Sequence, residues 1–425
     1  MSELTPRSEL RPRNELRSRN GVPKVPGIAR HGRLRRNSPL PSIFGFIAAG
    51  LAVILVSGGS VAAIAFNSLY SKVDTVELIQ ATEGPLPEIG AIEGGFNILI
   101  VGSDTRQGQG GIGGSEEDET SELNDVNMLL HVSQDQKNAV AISFPRDMVV
   151  TIPECPWTDP DRGTKVRSTE PINVAMYYGG LNCVAMTVAE LTGLPIQFAG
   201  VITFNGVIAM SDAVGGVPVC TTGPIRDDAA QLDIGAGTTV LQGFQALAFL
   251  RSRLGVGDGS DLTRISSQQV YLSSLVRTLK SSETLSDPKK VYNIANAAIS
   301  NMKLSSSLAS INTMVSIGLA LKNIPLERVT FVQYPGSTGA DGVYTGKVKP
   351  NHVVGDAMMA YIAADQPFLL DQAGDDRGST LDPNAPVVAP DPTSTDAPID
   401  NSGLPTVSGV RGQTAADYTC TIAND

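Results

Sequence analysis

Hydrophobic and polar positions divide this chain into three regimes: a charged start, one long uncharged run, and a remainder in which short apolar runs alternate with helix-period stretches. Residues 1–42 have almost nothing apolar to bury and repeat a six-residue unit, Glu3-Leu4, Glu9-Leu10 and Glu15-Leu16 each followed by arginines; disorder is predicted. From residue 96 the pattern becomes that of a folded domain. The run FNILIV (96–101) is continuously apolar, as a strand buried on both faces must be. Further strands are predicted over 128–132, 139–144, 201–204, 217–220 and 329–334, and helices over 184–191, 206–213, 288–301 and 307–321, with Gly215-Gly216 as a turn. Within 241–279, Asp261, Arg264 and Gln268 are spaced by three and four and share one helix face. Ile265, Leu272, Leu275, Val276 and Leu279 form the apolar stripe beside it, so this helix is expected to bury one face and present charge on the other. Residues 67–95 read as a stalk with a few extended residues, and 107–122, Gly-rich and then acidic, as a mobile surface loop. Residues 372–406, rich in Pro, Asp, Ser and Thr, read as a disordered linker, and 407–425 as a short docking segment. Strands interleaved with helices over 96–371 predict a single α/β domain, its central mixed sheet flanked by helices.

Charge and length add a topology. A chain of 425 residues has room for two or three domains, or for one large α/β domain with tails. Residues 1–42 hold ten Lys/Arg against three acids, and 43–66 is a run of 24 residues without a charge. Such a run crosses a hydrocarbon core of about 30 Å as one transmembrane helix. Its basic flank sets the N-terminus as cytoplasmic. A cleavable signal peptide, cut near Val61-Ala62-Ala63, is the competing reading. The long basic arm, and a run longer than the roughly 7 to 15 residues of a signal core, favour a retained anchor. The expectation is a single-pass plasma-membrane protein with an extracellular domain. That exterior part holds 22 basic and 40 acidic residues, which argues against nucleic acid and makes any arginine cluster stand out. With three His, four Cys and no CxxC pair, zinc of the Cys/His type is disfavoured and metal chemistry must rest on carboxylates.

Ionisable residues gather at strand ends. The run 96–101 ends in Gly102-Ser103-Asp104-Thr105-Arg106, Asn124-Asp125 precedes the next strand, and 139–144 ends in Pro145-Arg146-Asp147. Ligands of open α/β sheets collect at such ends. Arg251 and Arg253, one residue apart before Gly255, Gly257 and Gly259, join Arg264 as a possible convergent set. Planar guanidinium forks suit phosphate oxygens. For the 241–279 stretch taken alone, pairing with surface carboxylates is an equal alternative. Across the whole chain, recurrence at strand ends favours a shared anionic site over buried ion pairs, which stabilise weakly. Asp147 reads as a structural ion pair or turn residue ahead of a general base, and His131 and His352 as core or surface residues.

The motifs GSDTR, NDVNMLLHVS, SFPRD, IN-x-AMYYGG, LTG, DAVGGVPV, LxGxxALAFLRSR and DLTRISSQQ, in this order over 96–279, resemble the LytR-CpsA-Psr family of cell-wall glycopolymer transferases in its actinobacterial form. The basic arm and single anchor also resemble that family. The resemblance implies a membrane-anchored phosphotransferase moving a polyprenyl-pyrophosphate-linked glycopolymer, such as arabinogalactan or a related cell-wall polysaccharide, onto peptidoglycan. It implies Mg2+ (or Mn2+) at the pyrophosphate and an apolar tunnel for the lipid. Residue by residue, Asp104 and Asp125 match the metal-associated aspartates. Arg106, Arg146, Arg253 and Arg264 match arginines around the pyrophosphate, Arg251 the first of the Arg-x-Arg pair, and Gln268 the glutamine one turn after Arg264. By the same implication Asp125, Arg146, Arg253 and Arg264 carry the catalysis. Leu123-Asn124-Asp125-Val126 departs from the family's usual Arg-Ser-Asp-Thr, so one arginine is missing. A pyrophosphatase acting on polyprenyl pyrophosphates and a non-catalytic glycolipid-binding module remain as alternatives; a transcriptional regulator conflicts with the expected topology.

Four cysteines in an oxidising space allow three connectivities. Cys155 with Cys183 and Cys220 with Cys420 is the expected set, because the other pairings draw the tail cysteine toward IN-x-AMYYGG and leave 407–421 without a reason to dock.

Overall fold

The computed structural model describes residues 57, 74–79, 94–115, 117, 121–281, 288–309, 311–386 and 401–424. The basic arm and, Ser57 apart, the 43–66 run lie outside the described residues, as do residues 387–400.

Eight strands form the main sheet: β1 (Asp74–Val76), β2 (Phe96–Ser103), β3 (Asn124–Val132), β4 (Ala139–Phe144), β5 (Phe198–Ile202), β6 (Met302–Ser305), β7 (Val329–Gln333) and β8 (Arg411–Thr414), in the spatial order β1-β6-β5-β2-β3-β4-β7-β8. The sheet is mixed. β5 runs parallel to β2 and β7 to β4, whereas β2-β3 and β3-β4 are antiparallel. The run 96–101 is uniformly apolar because both faces of β2 are covered. Leu99 and Val101 join a core with Ile142, Val184 and Val188. Phe96 and Ile98 belong to a second core with Met128 and Phe331.

Four helices matter for the site: α1 (Ala175–Thr192), α2 (Phe204–Val214), α3 (Phe244–Arg251) and α4 (Asp261–Lys280). Helical geometry in α1 breaks at Gly179 and Gly180. A Cβ on Gly179 would lie 2.4 Å from Pro156 O, so the absence of a side chain lets α1 approach the hairpin that carries Cys155. A second sheet runs Gly237–Leu241, Val217–Thr221, Thr419–Thr421, Ser379–Leu381, and a third core of Val219, Phe249 and Tyr271 fills the space between it and α3 and α4.

The chain departs from its sequence pattern in several places. The strand expected over 201–204 is Phe198–Ile202, because Thr203 caps α2 by accepting the Gly206 N–H. β3 starts at Asn124, four residues early, so Asp125 lies in the strand. The helix expected over 307–321 is Ile311–Asn323, after a strand, β6, that the pattern does not announce. The folded unit starts before residue 96, since 74–76 of the expected stalk add β1 in parallel to β6. In the expected mobile loop, Gln109 is buried and its Oε1 accepts the Asn205 N–H at 2.9 Å, fastening the loop to α2.

The expected linker is the largest correction. Residues 372–386 and 401–406 are part of the fold: Ser379–Leu381 pairs with Thr419–Thr421, and Asp375 is buried with its Oδ1 accepting the N–H groups of Arg377, Gly378 and Ser379. A Pro-rich composition predicts no core, but short capped turns need none. This tail also covers the serine-bearing side of α4. Ser266 Oγ donates to Asp375 Oδ2 at 2.6 Å, and Gln413 Nε2 donates to Ser273 Oγ at 2.7 Å. The face expected to present charge to solvent is buried as well, Arg264 against Asp125 of β3 and Gln268 against Leu250 of α3.

Cys155 is bonded to Cys183 and Cys220 to Cys420, the expected pairs. In the second, the two cysteines face each other across parallel strands.

Candidate functional site

Two acids meet at one end of the β2-β3 ladder. The Asp104 N–H donates to Leu123 O at 3.1 Å, and Asp104 Oδ1 accepts the Leu123 N–H at 2.7 Å. Asp125 follows two residues later on β3. Its neighbour Asn124 is fully buried: Nδ2 donates to Asn127 Oδ1 and Ile172 O, and Oδ1 accepts the Met176 N–H at the start of α1. A buried amide with these bonds made is fixed, and it fixes the backbone from which Asp125 projects.

Arginines close around those acids. Arg146, two residues past β4, places Nη1 2.5 Å from Asp125 Oδ1, and its N–H donates to Asp261 Oδ2 at 3.1 Å. Arg264 lies 2.5 Å from Asp261 Oδ1 and donates from Nη2 to Asp125 O at 3.0 Å. Arg253 Nη2 is 3.9 Å from the same Asp261 oxygen. Asp261 thus joins three arginines brought from β4, the 252–260 loop and α4. It opens α4, next to the N-cap Ser260, whose side chain accepts the Thr263 N–H.

The loop with Arg253 is held from below by Asp227. Asp227 Oδ2 accepts the Ser252 hydroxyl at 2.8 Å and the N–H groups of Arg253 and Leu254 at 2.9 and 3.0 Å. Burial alone would raise this carboxyl; hydrogen bonds from Ser252, Arg253 and Ala230 outweigh it and leave its pKa below the usual value. Arg251 places its guanidinium over the Phe204 ring, 4.6 Å from the centroid. Gln268 Nε2 donates to Leu250 O at 2.9 Å, so this glutamine braces the residue before Arg251.

Charge is unevenly compensated across the site. Burial, followed by the positive charges of Arg264 and Arg146, depresses the pKa of Arg253. Burial also depresses Arg251, where Arg106 and Arg253 oppose the pull of Asp125 and Asp227. Arg146 moves up instead, because Asp125, then Asp261 and Asp147, outweigh its burial. Among the described residues, two buried donors of the cluster have no hydrogen-bond partner, and neither has the buried Asp261 Oδ1. Arg146 Nε lies 3.7 Å from Asp147 and 3.9 Å from Asp261, beyond hydrogen-bond range, and Arg264 Nε has no hydrogen-bond partner. Buried guanidinium donors left open beside like charges suit an anion with several oxygens.

The carboxylates Asp104 and Asp125 are hard oxygen donors of the kind magnesium takes, one or two alongside phosphate and water. Among the described residues, the one group of three side chains with metal-ligand spacing is Cys220, Asp382 and Cys420, and its sulfurs are bonded to each other.

The structure therefore brings Asp104, Asp125, Arg106, Arg146, Arg251, Arg253 and Arg264 to one end of the sheet, with Gln268 behind them. Asp147 is engaged by Lys347 Nζ at 2.7 Å, an ion pair. His131 is buried between Asn97 and Asp365, and His352 opens an exposed helix end. Asn124 and Asp227 have no local signal in the sequence, since the partners that tie them to other elements lie tens of residues away. Asp261 was legible by its i,i+3 spacing to Arg264, although not as the hub of three arginines.

The model of the LytR_cpsA_psr family matches residues 65–358. The chain is 29% identical over 332 residues to the probable cell wall biosynthesis protein LcpB of Corynebacterium glutamicum, covering 73% of this chain and 72% of that protein. It is 25% identical to the polyisoprenyl-teichoic acid–peptidoglycan teichoic acid transferase TagT of Bacillus subtilis, covering 75% of this chain and 94% of TagT. Among solved structures it is similar in fold to a LytR-Csp2A-Psr enzyme from Actinomyces oris, with a TM-score of 0.50 and 20% identity over 68% of this chain and 96% of that one.

Proposed function

This chain belongs to the LytR_cpsA_psr family, and we propose that it is a membrane-anchored phosphotransferase that moves a glycopolymer from polyprenyl pyrophosphate to peptidoglycan. The observation that carries the proposal is the crowding of Arg146, Arg253 and Arg264 around Asp261, with Arg146 Nε and Arg264 Nε buried and unpartnered. A pyrophosphate supplies the oxygens those donors lack.

In the transfer, an acceptor hydroxyl oxygen forms a bond to the phosphorus bearing the glycan, and the bond from that phosphorus to the bridging oxygen breaks, releasing polyprenyl phosphate. Catalysis of this kind is mostly positioning and charge stabilisation. Arg253 and Arg264 would bind the phosphate oxygens on one side, and Arg146, tied to Asp125, on the other. Guanidinium groups fixed before substrate arrives need no reorganisation as charge builds on the leaving phosphate. Arg251, over Phe204, would bind beyond Arg253. Asp104 and Asp125 would hold Mg2+ (or Mn2+), which when bound supplies further neutralisation of phosphate charge. The glycan is proposed to be arabinogalactan or a related cell-wall polysaccharide, as the resemblance of the motifs implies.

The test uses the full chain in detergent or vesicles with a labelled polyprenyl-pyrophosphate-linked glycan and cell-wall peptidoglycan. Label bound covalently to peptidoglycan and released by muramidase is the expected result. Label recovered only as free glycan phosphate would instead identify a pyrophosphatase, and bound but unconverted lipid would identify a binding module.

A further inference from the structure

We propose that the C-terminal segment Ile422–Asn424 is a positioning element of the arginine loop, holding Arg251 and Arg253 in register for their ligand. The segment lies past residue 358, where the family match ends. It is nonetheless laced to the residues that follow Arg253. Gly257 N–H donates to Ile422 O at 2.9 Å, Asn424 N–H donates to Gly255 O at 3.0 Å, and Asn424 Nδ2 donates to Leu254 O at 2.7 Å. Val256 and Ala423 form an antiparallel bridge between them. Three main-chain groups of the loop, Leu254 O, Gly255 O and Gly257 N–H, are thereby satisfied by the tail.

The tail is itself immobilised from three sides. Cys420 is bonded to Cys220, Thr222 N–H donates to Thr421 O at 2.9 Å, and Ile422 N–H donates to Gly378 O at 3.0 Å. The loop presses closely on the same layer: a Cβ on Gly257, which has φ +48°, would lie 2.4 Å from Arg377 O. Asp227 grips the loop at Ser252, Arg253 and Leu254, and the tail grips it at Leu254, Gly255 and Gly257. The two grips meet at Leu254, the residue after Arg253, so the backbone that carries Arg253 and follows Arg251 is restrained from both sides. Fixing donors before binding reduces the entropy lost when a ligand is engaged.

The inference rests on the reading of Arg251 and Arg253 as pyrophosphate ligands, and two measurements separate it from that reading. The first is amide hydrogen exchange on the full chain and on a chain ending at Thr421, which keeps the disulfide. Exchange at Gly257 is expected to quicken at least tenfold while residues 96–101 stay protected; unchanged exchange at Gly257 would overturn the clamp whatever the arginines bind. The second is titration with inorganic pyrophosphate and magnesium. The shortened chain is expected to bind at least tenfold more weakly, with KM for the lipid donor rising alongside. Equal affinity in the two chains would show that the clamp does not position the arginines. Absence of binding by the intact chain would fail the ligand reading alone, leaving exchange to decide the clamp. Should the shortened chain not fold, Asn424→Leu serves in its place, since it removes the donor to Leu254 O at similar size and adds no charge near the arginines. At least threefold weaker binding is expected, and full affinity in the folded variant overturns the proposal.

Discussion

Arg264 Nη2 donates to the main-chain carbonyl of Asp125 across 3.0 Å, which couples the first turn of α4 to the strand that carries a candidate metal ligand. The same guanidinium lies 2.5 Å from Asp261, and both side chains are almost fully buried. Removing the cation leaves a carboxylate in a dry place, held by the Arg146 N–H and by side-chain contacts to Arg146 and Arg253 at 3.9 Å. Arg264→Ala is expected to lower the stability of the protein by about 3 to 5 kcal/mol. Urea denaturation of variant and parent checks this, and a loss under 1 kcal/mol would show that Asp261 does not depend on Arg264.

Arg253 is more open, with its side chain 30% exposed, and its nearest carboxylate contact is at 3.9 Å. Arg253→Lys is expected to leave stability within about 0.5 kcal/mol. Transfer is expected to fall about a hundredfold, because an ammonium cannot reproduce the fork of donors that meets two phosphate oxygens. Near-parental kcat/KM in this variant would return Arg253 to the role of a surface charge.

Asp104→Ala and Asp125→Ala are both expected to abolish magnesium-stimulated transfer, but with different structural costs. Asp104 also accepts the Leu123 N–H, a charge-assisted bond whose loss costs about 1.5 to 3 kcal/mol. Magnesium titrations of activity, beside melting curves, distinguish the two effects. Undiminished magnesium response in either variant would remove that residue from the metal site.

Asp227 sets a pH dependence with a definite sign. Its folded pKa lies below the unfolded carboxyl's value of about 3.9. Its contribution is therefore complete above that value and is lost as pH falls through the folded pKa. Asp227→Asn is expected to cost about 3 kcal/mol at neutral pH, since it weakens several hydrogen bonds to a charged acceptor. The difference between parent and variant should shrink below about pH 4. A constant difference from pH 7 to 3 would contradict the assignment.

Both disulfides are expected to stabilise the domain, and unequally. The chain-entropy model gives about 3.5 kcal/mol for the 28-residue separation of Cys155 and Cys183 and about 5 kcal/mol for the 200-residue separation of Cys220 and Cys420, both upper values. Paired Cys→Ser variants compared by chemical denaturation test the ranking. The Cys220/Cys420 pair should also release residues 411–424 to protease, and continued resistance there would show that strand pairing alone retains the tail.

Much of the fold was legible because burial writes itself into local pattern. A strand covered on both faces has to be apolar throughout, which is why 96–101 could be placed without any partner in view. Boundaries were less legible where one capping residue decides them, as Thr203 does for α2. The expected linker failed for a related reason. Residues 372–386 hold together through turns around Asp375 and a short strand, features that leave no periodic signal.

The sequence by itself determined the chemistry: which side chains carry permanent charge, where oxygen ligands stand at strand ends, and which cysteines had reason to pair. These follow from residue type and spacing, which act over a few positions. Only the tertiary structure decided how that chemistry converges. Asp261 gathers arginines from distant segments, Asp227 and Gln268 orient the Arg251–Arg253 turn, and Asn424 completes it from the far end of the chain. Apart from those of Asp261 with Arg253 and Arg264, these contacts join residues tens to hundreds of positions apart. Their partners are chosen by the packing of layers, which no local pattern of polar and apolar residues encodes.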